Sequence, residues 1–123
     1  MSVVPAETAQ RMDRVFKALA DATRRSILDE LRKAPRKTGE LCGLFEMTRF
    51  GVMKHLGVLE EAGLIVVQRR GRERWNHLNP TPIREIHRRW MRPFEATDAD
   101  RLLRLKGVVE RAPIPHPRKR KNS

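Results

Sequence analysis

Apolar positions in the first third of the chain recur at the spacing of amphipathic helices. The first apolar face carries Met12, Val15, Phe16 and Leu19, and the second carries Ile27, Leu28 and Leu31. Asp21 or Thr23 can cap the second helix, since both side chains accept hydrogen bonds from a helix start. Pro35 ends that helix within a few residues. The pattern therefore predicts two helices after a short lead-in.

Two shorter helices are predicted next, separated by a tight turn. Thr38 opens the first of them, and its apolar face carries Leu41, Leu44 and Phe45. Thr48 is an N-cap candidate for the second, which ends at Gly63 in a left-handed conformation. Its buried stripe carries Val52, Leu56 and Leu59, whereas Phe50, Met53, Lys54 and Gly57 fall on the opposite side at 100° per residue.

The period then changes from helical to extended. Residues 64–67 are short and β-branched, and residues 74–78 read as a second strand, with the turn Arg70-Gly71-Arg72 between them. The segment 79–82 breaks the second strand and caps a long last helix, whose apolar positions include Ile83, Ile86, Trp90 and Phe94. Pro93 should kink that helix or split it in two.

The order of these elements predicts a mainly α-helical fold with a small β-hairpin. Two short helices joined by a tight turn and followed by a basic hairpin suit a winged helix-turn-helix. A major groove ~12 Å wide admits one helix, and side chains near the start of that helix read the base edges. The hairpin, or wing, can then lie along the neighbouring backbone or minor groove.

Charge makes nucleic acid the first partner to consider. The 123 residues carry 27 Lys and Arg against 15 Asp and Glu, a net charge of +12. The excess is uneven, because residues 1–63 hold +2, residues 64–112 hold +6 and residues 113–123 hold +4. We expect a disordered lead-in over 1–10, one DNA-binding and dimerisation domain over 11–112, and a disordered basic tail over 113–123.

The sequence argues against several classes of protein. The single cysteine, Cys42, allows no intrachain disulfide framework and fits a reducing cytoplasm. No apolar run approaches the roughly 18 residues that span a membrane, so no membrane partner is expected. Phosphate-binding glycine loops, nucleophile elbows and zinc-protease motifs are absent from the sequence, which argues against an enzyme.

Two segments are similar to those of a known family. The stretch from Phe16 to Leu28 reads FKALADATRRSIL, and the stretch from His55 to Ile65 reads HLGVLEEAGLI. Together they resemble the ArsR-type winged-helix repressors over roughly residues 12–80. The segment from Arg89 to Val109 resembles a branch of that family that does not sense metals.

The resemblance implies a homodimeric repressor that binds double-stranded DNA at a pseudo-palindromic operator. An effector of unidentified chemistry would release the repressor from that operator. The recognition helix would span 48–61, and its DNA face would carry Thr48, Arg49, Phe50, Met53, Lys54 and His55. The wing would span 66–78, and its DNA contacts would be Arg69, Arg70, Arg72 and Arg74. The dimer interface would carry Val15, Phe16, Leu19, Trp90, Phe94, Leu102, Leu105 and Val109.

Simpler interpretations exist for several of these side chains. Phe50 and Met53 either contact thymine methyl groups or pack against a neighbouring helix. His55 is structural or a phosphate donor, and Trp75 anchors the wing on the core in preference to stacking on a base. The wing arginines could be merely solvated, although four of them around one turn favour DNA. A nucleoid-type architectural binder with little sequence preference remains the alternative function.

Metal sensing and cofactor binding are not expected. Cys42 has no second cysteine in its helix, and one soft ligand cannot complete a tetrahedral site. The last helix offers only His87, followed by Arg88 and Arg89 instead of further ligands. We therefore expect Cys42 to fill the core.

Overall fold

The computed structural model of the chain describes residues 4–95 and 97–111, without the side chains of 97–99, 110 and 111. The chain divides into two compact units, Met1–Ile86 and His87–Ser123, and each is described by itself. The helices of the first unit are α1 (Ala6–Leu19), α2 (Ala22–Lys33), α3 (Thr38–Phe45), α4 (Arg49–Glu61) and α5 (Thr81–Ile86). Its strands are β1 (Arg36–Lys37), β2 (Ile65–Arg70) and β3 (Glu73–Leu78). The predicted class, mainly helical with a small hairpin, is confirmed.

Helix α1 begins earlier than the sequence predicted. It starts at Ala6, directly after Pro5, so the lead-in predicted over 1–10 is wrong from Ala6 onward. Its buried face carries Met12, Val15 and Ala18, three residues apart, and packs against α2, α4 and α5.

Val15 is 1% exposed and belongs to the core, so its predicted place in a dimer interface is wrong. Leu19 packs partly on the same core, whereas Phe16 is exposed.

The junction between α1 and α2 explains the arginines that follow Thr23 in the sequence. Asp21 is the N-cap of α2, and its carboxylate accepts a hydrogen bond from the Arg24 backbone N–H at 3.0 Å. The Arg24 guanidinium donates to the carbonyls of Ala18 and Lys17, at 2.8 and 2.9 Å. The last turn of α1 thereby gains side-chain donors for its terminal carbonyls.

The structure contains a third strand that the sequence analysis did not predict. Strand β1 pairs antiparallel with β3, so the sheet order is β1-β3-β2. Asn76 lies fully buried at the centre, and its amide donates to the Arg36 carbonyl and the Thr38 hydroxyl, both at 3.1 Å. These bonds connect the sheet to the start of α3. The wing therefore grows out of a sheet fixed to the helices.

Helix α4 is held in place by its buried stripe and its cap. Val52, Leu56 and Leu59 are fully buried, as predicted. The Thr48 hydroxyl accepts from the Gly51 backbone N–H at 3.1 Å, and Gly63 ends the segment with a φ of +76°. One prediction fails nearby, because Leu44 of α3 is 51% exposed. Met53 is partly buried and packs against the core, which favours the second of its two interpretations.

The second unit contains the predicted break in the last helix. A π-helical turn spans His87–Met91, a 3-10 turn with Pro93 spans Arg92–Phe94, and α6 spans Thr97–Arg111. The predicted splitting is thus confirmed. The predicted tail over 113–123 lies outside the described residues. Within the described part of the chain, no helix is both long and apolar enough to span a membrane.

Candidate nucleic-acid interface

The exposed start of α4 presents a cation and an aromatic ring. Arg49 is the first residue of the helix, and in the described structure it forms no ion pair. Phe50 is 73% exposed, more than any other large apolar side chain of the described residues. The Lys54 ammonium lies 5.5 Å from the Phe50 ring centroid, within range of a cation–π contact. The first two turns of α4 therefore combine an exposed aromatic ring with two positive charges.

Thr48 and His55 have partners within the protein. Thr48 caps α4, as described above. The His55 side chain is 22% exposed, and its Nδ1 lies 3.7 Å from the Asp21 carboxylate. The backbone hydrogen bond from Arg24, followed by the charges of Arg24 and His55, lowers the pKa of Asp21 below its ordinary value. His55 thus links the start of α2 to α4, in line with its structural interpretation.

The wing is a regular two-residue hairpin. Gly71 adopts a φ of +62°, which the tight turn requires. Arg69, Arg70 and Arg72 are exposed around this turn. The Arg70 guanidinium lies 5.0 Å from the Trp75 ring centroid and donates to Gln68 at 3.0 Å. Three of the four predicted wing arginines are thus open to a partner.

Arg74 differs from the other three wing arginines. Its side chain is only 14% exposed, and its Nη2 lies 3.2 Å from Oε1 of Glu60 on α4. It shares its face of β3 with the buried Asn76, two residues along the strand, and that face meets the helices. The low exposure and the ion pair favour a positioning role for Arg74 over the predicted contact with DNA, which stays a prediction.

Trp75 lies on the opposite face of β3. Its ring centroid is 5.8 Å from the Lys37 ammonium on one strand and 5.0 Å from the Arg70 guanidinium on the other. Its indole N–H donates to Glu73 at 3.3 Å. Trp75 therefore organises the cations of the wing, instead of serving as the predicted anchor on the apolar core.

A groove of about 450 Å³ opens where the starts of α3 and α4 meet the wing. Its lining residues are Lys37, Thr38, Gly39, Glu40, Arg49, Arg72, Glu73 and Arg74. Four of these are basic and two are acidic. The sequence analysis missed Lys37, because a strand of two residues has no periodicity that could reveal it. The only available signal was its charge between two helices.

Comparisons with known proteins agree with this architecture. The sequence model of a family described as "Helix-turn-helix domain" matches residues 19–68. The uncharacterized HTH-type transcriptional regulator YuzN of Bacillus subtilis is 37% identical over 91 residues, which cover 64% of this chain and 94% of the relative. The transcriptional repressor SdpR of the same organism is 34% identical over 83 residues, covering 68% of this chain and 91% of the relative.

Solved structures resemble the chain over most of its length. An ArsR-like transcriptional regulator from a Rhodococcus species matches with a TM-score of 0.63 and 28% identity, covering 87% of this chain and 97% of that one. The chain belongs to the ArsR-type winged helix-turn-helix transcriptional regulators. A DNA-binding domain of the same fold from Mycobacterium bovis, homodimeric in solution, matches with a TM-score of 0.56 and 23% identity, covering 98% and 99%.

Membership of the ArsR-type family makes the chain a DNA-binding transcriptional regulator and not an enzyme.

Cys42 is half-buried and packs against the core, where the sequence analysis placed it. His87 lies 2.7 Å from the Glu95 carboxylate. Among the residues that the structure describes, His, Cys and acidic side chains form no cluster of three that could hold a metal ion.

Most of the predicted dimer-interface residues of this ArsR-type regulator are exposed. Phe16 of α1 is 42% exposed. The exposed apolar residues of the second unit include Trp90, Phe94, Leu102, Leu105 and Val109, each 46–63% exposed. Leu102, Leu105 and Val109 are spaced three and four residues apart and so share one face of α6. Exposed apolar side chains that share one face of a helix are typical of a protein interface.

Proposed function

We propose that this ArsR-type regulator is a sequence-specific, homodimeric repressor that reads the major groove with the helix over 48–61. The observation that carries the proposal is the exposed start of α4, where Arg49 makes no ion pair with any described residue and Phe50 is 73% exposed. Side chains at the start of a recognition helix are the ones that reach base edges. Neither a solvated helix nor a core helix needs an aromatic ring in that position.

Each of the three exposed side chains at the start of α4 has its own role in the proposal. Arg49 donates two hydrogen bonds to a guanine, which is the commonest specific contact in the major groove. Phe50 makes van der Waals contact with a thymine methyl group. Lys54, beside the Phe50 ring, meets a backbone phosphate. The combination favours particular base pairs and fixes the helix on the duplex.

The wing over 66–78 supplies contacts that do not depend on sequence. Arg69, Arg70 and Arg72 lie along the neighbouring backbone or minor groove, where the potential is strongly negative. Each phosphate neutralised makes the affinity more sensitive to salt, by about 0.9 log units per log unit of salt. The wing thus contributes affinity, while α4 contributes the choice of site.

A second copy of the chain covers the apolar residues of α6 together with Phe16, so that residues 11–112 act in binding and in dimerisation. The exposed apolar face of α6 supports this part of the proposal, as does the homodimeric relative from Mycobacterium bovis. Two recognition helices would then read half-sites about one helical turn, roughly 34–36 Å, apart. Repression follows the example of the relative SdpR, a transcriptional repressor. We expect an effector of unidentified chemistry to release the operator.

The test compares two duplexes with the full chain at fixed salt. One duplex carries the promoter of the protein's own gene, and the other carries the same bases in scrambled order. The proposal expects binding to the first about 10³-fold tighter or more, with two chains per site by analytical ultracentrifugation. A ratio near one would instead identify an architectural binder, and one chain per site would refute the dimer.

A further inference from the structure

Glu73 lies at the tip of the wing with both carboxylate oxygens engaged. Its Oε2 is 3.1 Å from the Lys37 ammonium, and its Oε1 accepts from the Trp75 indole N–H at 3.3 Å. Lys37 belongs to β1 and Glu73 to β3, so the ion pair joins two strands. Their side chains are 38% and 49% exposed, which leaves both accessible to a further charged group.

The ion pair stands in the basic groove between the starts of α3 and α4 and the wing. Of the four cations that line the groove, Arg74 is paired with Glu60 and Lys37 with Glu73. Arg49 and Arg72 make no ion pair with any described residue. Glu40 accepts a hydrogen bond from the Lys37 backbone N–H at 2.8 Å, which fixes it at the start of α3. The groove therefore combines two cations that have no ion-pair partner in the described part of the chain with one that holds an exposed carboxylate.

Glu73 is ionised whenever the protein meets DNA near neutral pH. The hydrogen bonds from Lys37 and then Trp75, with the charges of Lys37 and Arg70, lower the pKa of its carboxyl group. A carboxylate and a backbone phosphate are both oxyanions that accept hydrogen bonds from an ammonium group. Both therefore compete for the same Nζ.

We propose that this groove binds a phosphate of the DNA backbone, and that Glu73 competes with that phosphate for Lys37. The inference rests on the DNA binding proposed above and adds a site between the recognition helix and the wing. Glu73 weakens binding to every sequence to the same extent, since phosphates carry no base information. It thereby limits the nonspecific affinity of a chain whose net charge is +12.

The test measures binding of the full-length Glu73→Gln variant to a random-sequence duplex at several salt concentrations. Gln keeps the shape of the side chain and a hydrogen-bond acceptor for Trp75, but it releases Lys37. We expect binding about two- to fivefold tighter at 0.1 M salt, the range that exposed ion pairs give. The salt slope should steepen by about 0.9, because one more phosphate is neutralised.

Two further variants isolate the role of the groove. Asp29→Asn removes the same charge from α2 and releases Arg32, its partner at 3.8 Å, but neither residue lines the groove. We expect its salt slope to stay at the wild-type value. Lys37→Met in the Glu73→Gln background should abolish the gain. Thermal melting confirms that each variant is folded.

The results separate this inference from the proposed function. If wild-type protein binds DNA but Glu73→Gln matches Asp29→Asn, the competition by Glu73 is refuted. A gain that persists after Lys37→Met refutes Lys37 as the contested cation. If wild-type protein shows no salt-dependent binding to any duplex, the proposed function itself fails.

Discussion

The Arg74 guanidinium of the wing lies 3.2 Å from the Glu60 carboxylate of α4. This ion pair joins the two elements that we expect to contact DNA, and it leaves Arg74 only 14% exposed. Arg72, two residues away on the wing, is exposed and makes no ion pair among the described residues. We therefore expect the two arginines of one hairpin to have different roles, with Arg74 fixing the position of the wing and Arg72 binding DNA.

Replacing each of these arginines by Met should separate the two roles. Arg74→Met should lower the free energy of unfolding by about 1 kcal/mol, because a charged hydrogen bond is lost. Arg72→Met should change it by less than about 0.5 kcal/mol but reduce the salt slope of DNA binding by about 0.9. Urea denaturation and salt titration measure the two quantities. Equal reductions of the salt slope would contradict the assignment of Arg74.

Arg49→Ala should relax the sequence preference. If the guanidinium reads a guanine, its loss removes about 1–3 kcal/mol of discrimination at one base pair and changes nonspecific binding much less. Arg32→Ala, on the exposed surface of α2, is the control for a lost positive charge. Competition binding with single-base variants of the site measures the effect. Parallel losses on specific and random duplexes would show that Arg49 only contacts phosphate.

Two glycines with open space around them should respond to alanine in opposite ways. Gly57 of α4 and Gly71 of the wing would each accommodate a Cβ with nothing within 4 Å. Gly57→Ala should raise the free energy of unfolding by about 1 kcal/mol, because alanine favours a helix. Gly71→Ala should lower it by about 1–2 kcal/mol, because its φ of +62° strains a side chain. Urea denaturation checks both signs, and a change of the same sign in both variants would contradict this account.

Stability should depend on the charge of Asp21 at low pH. Its folded-state pKa is below the unfolded value, so the contribution of the carboxylate is complete above the unfolded pKa. That contribution is lost as the pH falls through the folded pKa. Asp21→Asn keeps an N-cap acceptor but cannot titrate. The free energy of unfolding of wild type minus that of the variant should fall between pH 6 and pH 2, and a constant difference would argue against the carboxylate.

Hydrophobic periodicity predicted the elements that bury one face in the core and expose the other to solvent. Val52, Leu56 and Leu59 face a single core, so their spacing alone located the buried side of α4. The change of period at Leu64 located the wing in the same way. Element type and order were therefore accessible from the sequence, together with the break of the last helix around Pro93.

Other features depend on contacts between distant segments. Spacing alone does not separate Val15, which is buried within the protomer, from its exposed neighbour Phe16. Arg74 was grouped with the other wing arginines, since only the pairing of β3 reveals that its face meets α4. Strand β1 exists because it pairs with β3, and Lys37 enters the basic groove by that pairing. Such partners are set by tertiary structure and not by local pattern.

Selection from a pool of random duplexes tests the central claim most directly. Full-length protein would be bound to the pool at physiological salt, and the retained sequences would be read after several rounds. The account predicts an inverted repeat whose half-sites are centred 10–10.5 base pairs apart, with the enrichment lost in Arg49→Ala. Retention of duplexes without any enriched motif would contradict sequence-specific reading by α4.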